Sequence, residues 1–339
     1  MIKSRVGSNS RILSVGGYQP PRIVTNSEII ENIESTDEWI RQRTGIEERR
    51  FAAADESVLD MAEKACREAL ANANISIEDI DTLILASITY PYQAPSAATA
   101  LIVRLGNPQA AAFDINAACA GFCYGVGMAH DFVRAGTSQR VLVVGVEKLS
   151  DFMDPHDRAT AFIFADGAGA VIIGPSEEAG IGPTIWGSDA DSRDAILMDP
   201  SWLEFKNGAT GITWPVISQQ GQKVFRWAVF SMSKAGLRML EAAGITPDQL
   251  DAFIPHQANV RIIESMAREM RIPSKVIIAQ DIRTSGNTSA ASVPLAMAAL
   301  LKEHPELHGG LALLIGYGAG LVYAGQVVQL PPSPFNATA

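Results

Sequence analysis

Apolar and polar positions follow the same order twice along the chain. Ile75–Leu85 (ISIEDIDTLIL) aligns without gaps with Ile245–Pro255 (ITPDQLDAFIP) at an offset of 170 residues. Three further pairs of segments match in order at similar offsets: 59–73 with 229–243, 114–115 with 281–282, and 142–145 with 313–316. One such match would mean little, because any two α/β segments resemble each other. Four matches in order predict an internal duplication.

Each copy is predicted to run helix, buried strand, helix, strand, helix, strand. Apolar residues recur at helical spacing in Leu59–Ala73 and Val229–Ala243, whereas LVVG (142–145) and LLIG (313–316) are continuous apolar runs typical of buried strands. Alternation of such strands with helices predicts a mostly parallel sheet with helices on both faces.

The predicted boundary between the copies is the stretch Gly174–Ser188, which is rich in Gly and Pro and divides the chain into residues 1–180 and 181–339. The second half opens with Ser188–Gln222, which shows little periodicity. We expect a lid or a binding loop there. The tail PPSPFNATA (331–339) is predicted to be disordered.

Composition favours a large folded core and argues against a nucleic-acid partner. Hydrophobic residues make up 47% of the 339 residues and charged residues only 19%, which excludes a disordered chain. The net charge of −10 offers no global positive field to a polyanion.

The distribution of cysteine and apolar residues predicts a cytoplasmic protein without membrane contact. Three cysteines are an odd number, which favours a reducing compartment over a disulfide framework. Met1–Ser10 lacks the apolar core of a signal peptide. Gly309–Val328 is uncharged, but four glycines interrupt it, so we expect strand, turn and strand instead of a membrane helix.

Cys119 is the first candidate for chemistry. It lies between an expected strand end at Phe113–Ile115 and an expected helix that begins near Gly121. Backbone N–H groups and the helix dipole at such a junction lower the pKa of a thiol. A buried structural cysteine fits the same pattern, because cysteine is among the most buried residue types. A metal site on Cys119 and Cys123 is not expected, since no further ligands stand at a recognisable spacing.

His256 and Asn287 are the polar candidates of the second copy. His256 follows the buried run AFIP, at the kind of strand end where α/β sheets place ligand contacts, although a structural histidine fits as well. Asn287 follows an expected strand and precedes a helix from Ser289, where it could also be a helix cap. Cys119 and Asn287 occupy nearly equivalent junctions of the two copies. The duplication therefore predicts that Cys119, His256 and Asn287 meet in one site between the halves.

Seven motifs then carry a family resemblance. They are GYQPP with TNSE (17–28), DEWI with RTGI (37–46), AACAGF (117–122), DGAGA (166–170), HQAN (256–259), GNTSAAS (286–292) and GYGAG (316–320). From Leu13 to about Leu330 the sequence resembles the β-ketoacyl-acyl-carrier-protein synthase III family of the thiolase superfamily. The resemblance implies a homodimer with a duplicated thiolase-like α/β fold, layered αβαβα, in which two mixed sheets enclose a buried central helix layer.

The resemblance also implies the reaction that starts type II fatty acid synthesis. An acyl-CoA would acylate Cys119, a malonyl-acyl carrier protein would lose CO2, and the enolate would attack the Cys119 thioester to give a 3-oxoacyl product. His256 and Asn287 would donate hydrogen bonds to the enolate oxygen. Backbone N–H groups of Cys119 and Ala319 would form the oxyanion hole for the attacked thioester. No cofactor and no metal are implied.

Further matches concern the binding of CoA, of the carrier and of the acyl chain. The residues that match family contacts with CoA or with the carrier are Trp39, Arg43, Arg158, Asn259 and Arg261. Ala94, in QAPS (93–96), matches a position that shapes the acyl pocket across the dimer interface, to which Ala86–Val103 is expected to contribute. Because alanine is small, we expect tolerance of primers longer or more branched than acetyl.

Three other functions stay open at this point. The nearest is a synthase-III-like acyltransferase of secondary metabolism, which primes a polyketide or forms an ester. A papain-like cysteine hydrolase also uses Cys, His and Asn in this order, but its signature around the cysteine is absent here. A non-catalytic carrier-binding homologue would have no need of all three polar residues.

Overall fold

The computed structural model describes residues 7–208 and 214–335, and within them the strands form two large and two small sheets. The strands are β1 (Asn9–Tyr18), β2 (Arg22–Thr25), β3 (Glu48–Phe51), β4 (Thr82–Ala86), β5 (Ala111–Ile115), β6 (Val141–Lys148), β7 (Asp166–Ser176), β8 (Ile185–Ser188), β9 (Ile196–Asp199), β10 (Val216–Gln219), β11 (Ala252–Pro255), β12 (Ile277–Ile278), β13 (Leu311–Gly318) and β14 (Val322–Gln329).

The helices alternate with strands from β3 to β6 and again from β9 to β12. They are α1 (Asn26–Ile29), α2 (Asp37–Thr44), α3 (Val58–Ala73), α4 (Ala97–Leu105), α5 (Gly121–Arg134), α6 (Trp202–Lys206), α7 (Gly221–Ala243), α8 (Val260–Glu269), α9 (Ile282–Ser285) and α10 (Ser292–Glu303). Helix α3 illustrates how the local sequence determines where a helix begins and ends. Ser57 and Asp60 form a capping box at its start, and Asn74 ends it in the left-handed conformation.

The two large sheets have the same strand order, which confirms the predicted duplication of the fold. The first runs β1-β7-β6-β4-β5 and the second runs β8-β14-β13-β11-β12. Each sheet has two parallel and two antiparallel pairings, so the expectation of a mostly parallel sheet is wrong. The reason is clearest between β13 and β14, where only residues 319–321 connect the strands, and so short a connection joins antiparallel neighbours only. The thiolase-like fold with two mixed sheets is present.

Five layers alternate between helices and sheets. Helices α3 and α4 pack on the outer face of the first sheet, while α7 packs on the outer face of the second. Helices α5 and α10 lie between the sheets and contact strands of both. Their apolar side chains belong to one buried cluster that includes Phe122, Val126 and Met297. The residues at the N-termini of these two central helices therefore lie in the interior of the protein.

The junctions that begin the central helices are closely equivalent, as the duplication predicted, although Cys119 and Asn287 are not position-for-position counterparts. Short 3-10 helices at Ala118–Ala120 and Ser289–Ala291 precede α5 and α10 at an offset of 171. Ala290 therefore corresponds to Cys119, and Asn287 corresponds to Asn116. Residues 281–282 do not match the strand end at 114–115 either, because Ile282 begins the short helix α9 after the two-residue strand β12.

The segment 188–222 is more ordered than its weak periodicity suggested. Strands β9 and β10 pair within it, and Ile196, Ile217 and Gln219 line a cavity between the two halves. Residues 209–213 lie outside the described part of the chain. In the tail, Pro331 is buried and its carbonyl accepts a hydrogen bond from Gly309, so disorder does not begin there; residues 336–339 lie outside the described part.

Candidate active site

A cavity of about 490 Å³ opens where the two halves meet. Cys119, His256 and Asn287 all line it, as the duplication predicted. The five residues expected to contact CoA or the carrier line it as well: Trp39, Arg43, Arg158, Asn259 and Arg261. Eight candidates thus share one cavity: six come from four of the motifs, and Arg158 and Arg261 lie outside the motifs.

Cys119 is held in place by an unusual local backbone and by a glycine on the opposite strand. Ala118, the residue before it, has a left-handed φ of 44°, which a residue with a side chain rarely adopts. Gly318 lies so close that a Cβ there would stand 2.8 Å from Cys119 Sγ. The thiol therefore has a fixed position with a backbone segment directly against it.

The thiol is less acidic than its helix position predicted. Burial raises the pKa of the Cys119 thiol to about 11, while its hydrogen bonds to Ser289 and to the backbone N–H groups of Cys119 and Ala319 oppose that rise. The expectation of a lowered pKa is therefore wrong in its net direction, because burial outweighs these donors. A proton acceptor is needed when the thiol attacks.

His256 is buried and electrically neutral. It follows β11, its Nδ1 lies 2.6 Å from Ser292 Oγ, and its ring packs edge-on against Tyr317. Burial lowers the pKa of His256 to about 3. Ser292 Oγ also accepts the backbone N–H of Gln257 at 3.3 Å, and among the described residues His256 Nδ1 is the one acceptor within reach of its hydroxyl proton. Nε2 therefore carries the ring proton and is a hydrogen-bond donor.

Asn287 presents its amide nitrogen in a similarly fixed way. Its Oδ1 accepts the backbone N–H of Ser289 at 2.9 Å, and its own main chain bonds to Ile163 and Ala165. Because the oxygen is occupied by this donor, the amide orientation is determined and Nδ2 is left as the second donor of the site.

The cavity mouth carries cations and aromatic rings. The guanidinium of Arg158 lies 5.5 Å from the ring centre of Trp39, and that of Arg261 lies 5.4 Å from the ring centre of Phe225. Such exposed guanidinium groups suit phosphate and adenine ligands. Asn259 already has two partners: it caps α8 through the Arg261 N–H and donates to the Arg43 carbonyl.

Ala94 is the one candidate that the structure does not bring to the cavity. It is exposed, precedes α4, and is absent from the cavity lining. An acyl-pocket role across a subunit interface stays a prediction.

Several buried polar residues of the site escaped the sequence reasoning. Glu147 is the next-to-last residue of the buried strand β6 and accepts a hydrogen bond from Ser289, which also contacts Cys119. Ser289 and Ser292 stand inside the GNTSAAS motif, so their proximity to Asn287 could have singled them out. Glu147 could have been found by the signal that found His256, a polar residue at the end of an apolar run.

Nothing in the described residues points to a metal centre or a membrane span. No cluster of three or more His, Cys, Asp or Glu side chains with metal-binding geometry occurs in residues 7–208 and 214–335. The helices of the same ranges include none with the length and apolar character needed to cross a bilayer. Cys66, Cys119 and Cys123 are free thiols.

Comparison with known proteins identifies the family. The models for 3-oxoacyl-(acyl-carrier-protein) synthase III and for its C-terminal part match residues 113–190 and 240–330. The β-ketoacyl-(acyl-carrier-protein) synthase III of Kocuria rhizophila is 51% identical, over 96% of this chain and 97% of its own length. The chain belongs to the synthase III family. A second relative, β-ketoacyl-(acyl-carrier-protein) synthase III 1 of Streptomyces coelicolor, is 52% identical over 95% of this chain and 96% of its own.

Solved structures show the same relationship. The priming β-ketosynthase of the R1128 polyketide pathway superposes with a TM-score of 0.95 and 41% identity, covering 98% of this synthase III chain and 99% of its own. The superposition therefore includes both halves of the chain in the same relative arrangement.

Proposed function

We propose that this synthase III starts type II fatty acid synthesis by joining an acyl-CoA primer to malonyl-acyl carrier protein. The products are CO2, CoA and a 3-oxoacyl-acyl carrier protein. The observation that carries the proposal is the environment of Cys119: a half-buried thiol that lines one cavity with two fixed, neutral donors, His256 Nε2 and Asn287 Nδ2. An acyltransferase with covalent catalysis needs the nucleophile, and decarboxylative condensation needs the donors.

In the first half-reaction, Cys119 Sγ attacks the acyl carbon of the primer. The S–C bond to the enzyme forms as the S–C bond to CoA breaks, and the resulting thioester stores the activated acyl group. The oxyanion that forms during this attack is stabilised by the backbone N–H groups of Cys119 and Ala319, both of which point to the sulfur region. Because these donors are backbone groups, alanine at 319 serves as well as glycine.

In the second half-reaction, the malonyl group loses CO2 and leaves an enolate. Its oxygen needs hydrogen-bond donors and no strong base, because decarboxylation itself generates the carbanion. His256 and Asn287 supply two such donors, and the low pKa of His256 keeps the ring neutral over the working range of pH. The enolate carbon then attacks the Cys119 thioester, and Cys119 leaves as a thiolate.

The mouth of the cavity accounts for the phosphate-bearing part of the substrates. Arg158 stacks on Trp39, and Arg43 and Arg261, the latter on α8, line the same cavity. We assign them to the CoA nucleotide and to the carrier's prosthetic group, with Asn259 as a pantetheine contact. The net charge of −10 does not oppose this, since three exposed arginines gather at the mouth.

A cytoplasmic homodimer completes the proposal. Strand β5 is an edge strand of the first sheet. Tyr92 and Val103, which precede β5 in the chain, are 65% and 61% exposed. An open edge beside exposed apolar side chains is typical of a surface that a second copy covers. Ala94 would then reach the acyl pocket of the partner. Light scattering that gives the mass of a single chain would overturn this part.

Intact-mass spectrometry and a condensation assay test the function. Incubation with acetyl-CoA should add one acyl mass to Cys119, and malonyl-acyl carrier protein should then remove it as a 3-oxoacyl product. A panel of acyl-CoA primers tests the Ala94 prediction, which a steep fall from acetyl-CoA to butyryl-CoA would contradict. Absence of any adduct, or release of free acid in place of the 3-oxoacyl product, would overturn the proposal.

The competing functions have less support. Relatives named β-ketoacyl-(acyl-carrier-protein) synthase III are up to 52% identical to this chain, whereas the polyketide priming enzyme is 41% identical. A papain-like hydrolase relies on a charged histidine that its asparagine orients. Here burial holds the pKa of His256 at about 3, and Ser292 rather than Asn287 bonds to the ring.

A further inference from the structure

We propose that Glu147 and Ser289 form a proton relay that receives the thiol proton of Cys119 during acylation and returns it after condensation. The inference rests on the proposed function, because it concerns the proton of that nucleophile. Neither residue was needed to explain binding or the stabilisation of the enolate.

The relay is a continuous chain of hydrogen bonds. Ser289 Oγ donates its proton to Glu147 Oε1 at 3.1 Å. The same hydroxyl is within hydrogen-bonding reach of Cys119, and while its single proton is donated to Glu147 its oxygen is free to accept the proton of the thiol. Every link therefore points from the thiol toward the carboxylate.

Ser289 is held at this place by a strained backbone. Its φ is 49°, in the left-handed region, and it is the counterpart of Ala118 in the first copy. A residue with a side chain adopts this region at a cost of about 1–3 kcal/mol, and such residues concentrate at functional sites. The strain turns the hydroxyl toward both Glu147 and Cys119.

Glu147 is a buried carboxyl group without a countercharge. Its side chain is fully buried, and Oε2 accepts three hydrogen bonds, from Thr89 Oγ1, Ser87 Oγ and the backbone N–H of Ile88. In the described part of the chain no Lys, Arg or His forms an ion pair with it. Burial raises the pKa of Glu147 to about 7, so the group gains or loses a proton near neutrality.

The other charged groups around Glu147 are engaged elsewhere. Lys148, next to it on β6, donates to the Ala53 carbonyl and lies 3.6 Å from Asp151. Asp166, on the neighbouring strand β7, accepts the hydroxyl and N–H of Ser150. An ionised Glu147 repels a thiolate at Cys119 and thereby raises the pKa of that thiol. The carboxylate therefore does not favour a thiolate in the resting enzyme. Its contribution is to take the proton.

The proton balance of the two half-reactions fits this arrangement. In acylation, Cys119 gives its proton to Ser289 as Ser289 gives its own to Glu147, and CoA leaves as a thiolate that takes a proton from water. The acyl-enzyme then contains a neutral Glu147. In condensation the C–S bond breaks, its electron pair stays on Cys119, and the stored proton returns through Ser289. The thiol and the carboxylate are thereby restored.

The pH dependence of acylation distinguishes a relay from a structural role. In the wild type, the acylation rate measured by rapid quench and intact mass should rise with pH through about 7, because Glu147 must be ionised to accept a proton. In Glu147→Gln the amide can keep the loop contacts through its oxygen but accepts no proton. We expect it to be about 100-fold slower than wild type at about pH 8.5 and only about 10-fold slower at about pH 6, where about nine-tenths of wild-type Glu147 is protonated.

A matched control and a second variant complete the test. Asp166→Asn neutralises another buried carboxyl group with a raised pKa, of about 6, that has no bond to Cys119; its ratio to wild type should not change with pH. Ser289→Ala should remove the same rise of the acylation rate with pH. If Glu147→Gln does not fold, Ser289→Ala tests the relay in its place. An equal loss at every pH in these variants, or no loss, overturns the relay. A wild-type enzyme that forms no adduct would instead overturn the proposed function.

Discussion

The N-termini of the two central helices have the same backbone and opposite chemistry. Each begins with a short 3-10 helix whose first residue has a left-handed φ, 44° at Ala118 and 49° at Ser289. In the first copy the next residue is the nucleophile Cys119. In the second copy it is Ala290, and the chemistry lies on the residues around it.

The difference shows how a duplicated fold builds an asymmetric site. The second junction contributes an amide from Asn287 and hydroxyls from Ser289 and Ser292, none of which can act as the nucleophile alone. The first contributes one thiol and the helix that buries it. The residue with the left-handed φ, Ala118 or Ser289, is present in both copies because it turns the backbone into the helix that follows. That turn is needed whichever side chains the segment has.

Removal of the nucleophile should have the largest effect. Cys119→Ala leaves the donors of the second copy intact but removes the atom that forms the thioester, so intact mass should show no acyl adduct. Cys123→Ala is the matched control, because Cys123 lies one turn further along α5, is fully buried, and has a pKa that burial raises to about 12. If Cys119→Ala were still acylated, the two junctions would have been assigned the wrong roles.

The donor of the second junction should come next in size. Asn287→Asp keeps an oxygen for the Ser289 N–H but replaces the Nδ2 donor with a second acceptor. Condensation should fall about 100- to 1,000-fold, as expected for the loss of one oxyanion donor, whereas acylation of Cys119 should persist. Gln222→Glu, at an exposed residue of the cavity lining to which no role is assigned, is the comparison for added charge near the cavity. Equal losses in both half-reactions would contradict the division of labour.

Much of the fold could be predicted from the sequence because burial imposes clear periodicity. The repeat at an offset near 170, the helices at 59–73 and 229–243 and the hairpin within 309–328 all reflect side chains that must face a core. Strand direction could not be predicted, because a continuous apolar run is the same whether its neighbour is parallel or antiparallel.

The site could be predicted less completely. Cys119, His256 and Asn287 stand at the ends of apolar runs, which is a signal that a single sequence carries. The net pKa of Cys119 depends on burial by segments far away in sequence, Gly318 among them, and so its direction was wrong. Ser292 and Glu147 act through contacts 36 and 142 residues away, which no local pattern encodes.

The glycine opposite the first junction offers a smaller, steric perturbation. In Gly318→Ala the new Cβ would stand 2.7 Å from Cys119 Cβ and 2.8 Å from its Sγ, so the thiol must move. Because sub-ångström placement matters for attack, acylation should slow about 10- to 100-fold. Gly309→Ala, which meets no atom within 4 Å, is the control: its φ of 80° should cost stability without slowing acylation. Unchanged acylation in Gly318→Ala would mean that this strand does not constrain the nucleophile.

The smallest effect is expected at Ser292, which acts on His256 and not on the substrate. Ser292→Ala removes the hydroxyl that gives its proton to Nδ1, so the ring is no longer held with its proton on Nε2. We expect condensation to fall about 10-fold while acylation stays near its wild-type rate, since one donor is weakened rather than lost. Nitrogen NMR of the histidine should show protonated Nε2 in the wild type and a mixture of tautomers in the variant. Ser292→Thr, which keeps the hydroxyl, should restore the wild-type tautomer. A variant that is slow in condensation but retains the wild-type tautomer would mean that Ser292 contributes to packing and that His256 is oriented by its other neighbour, Tyr317.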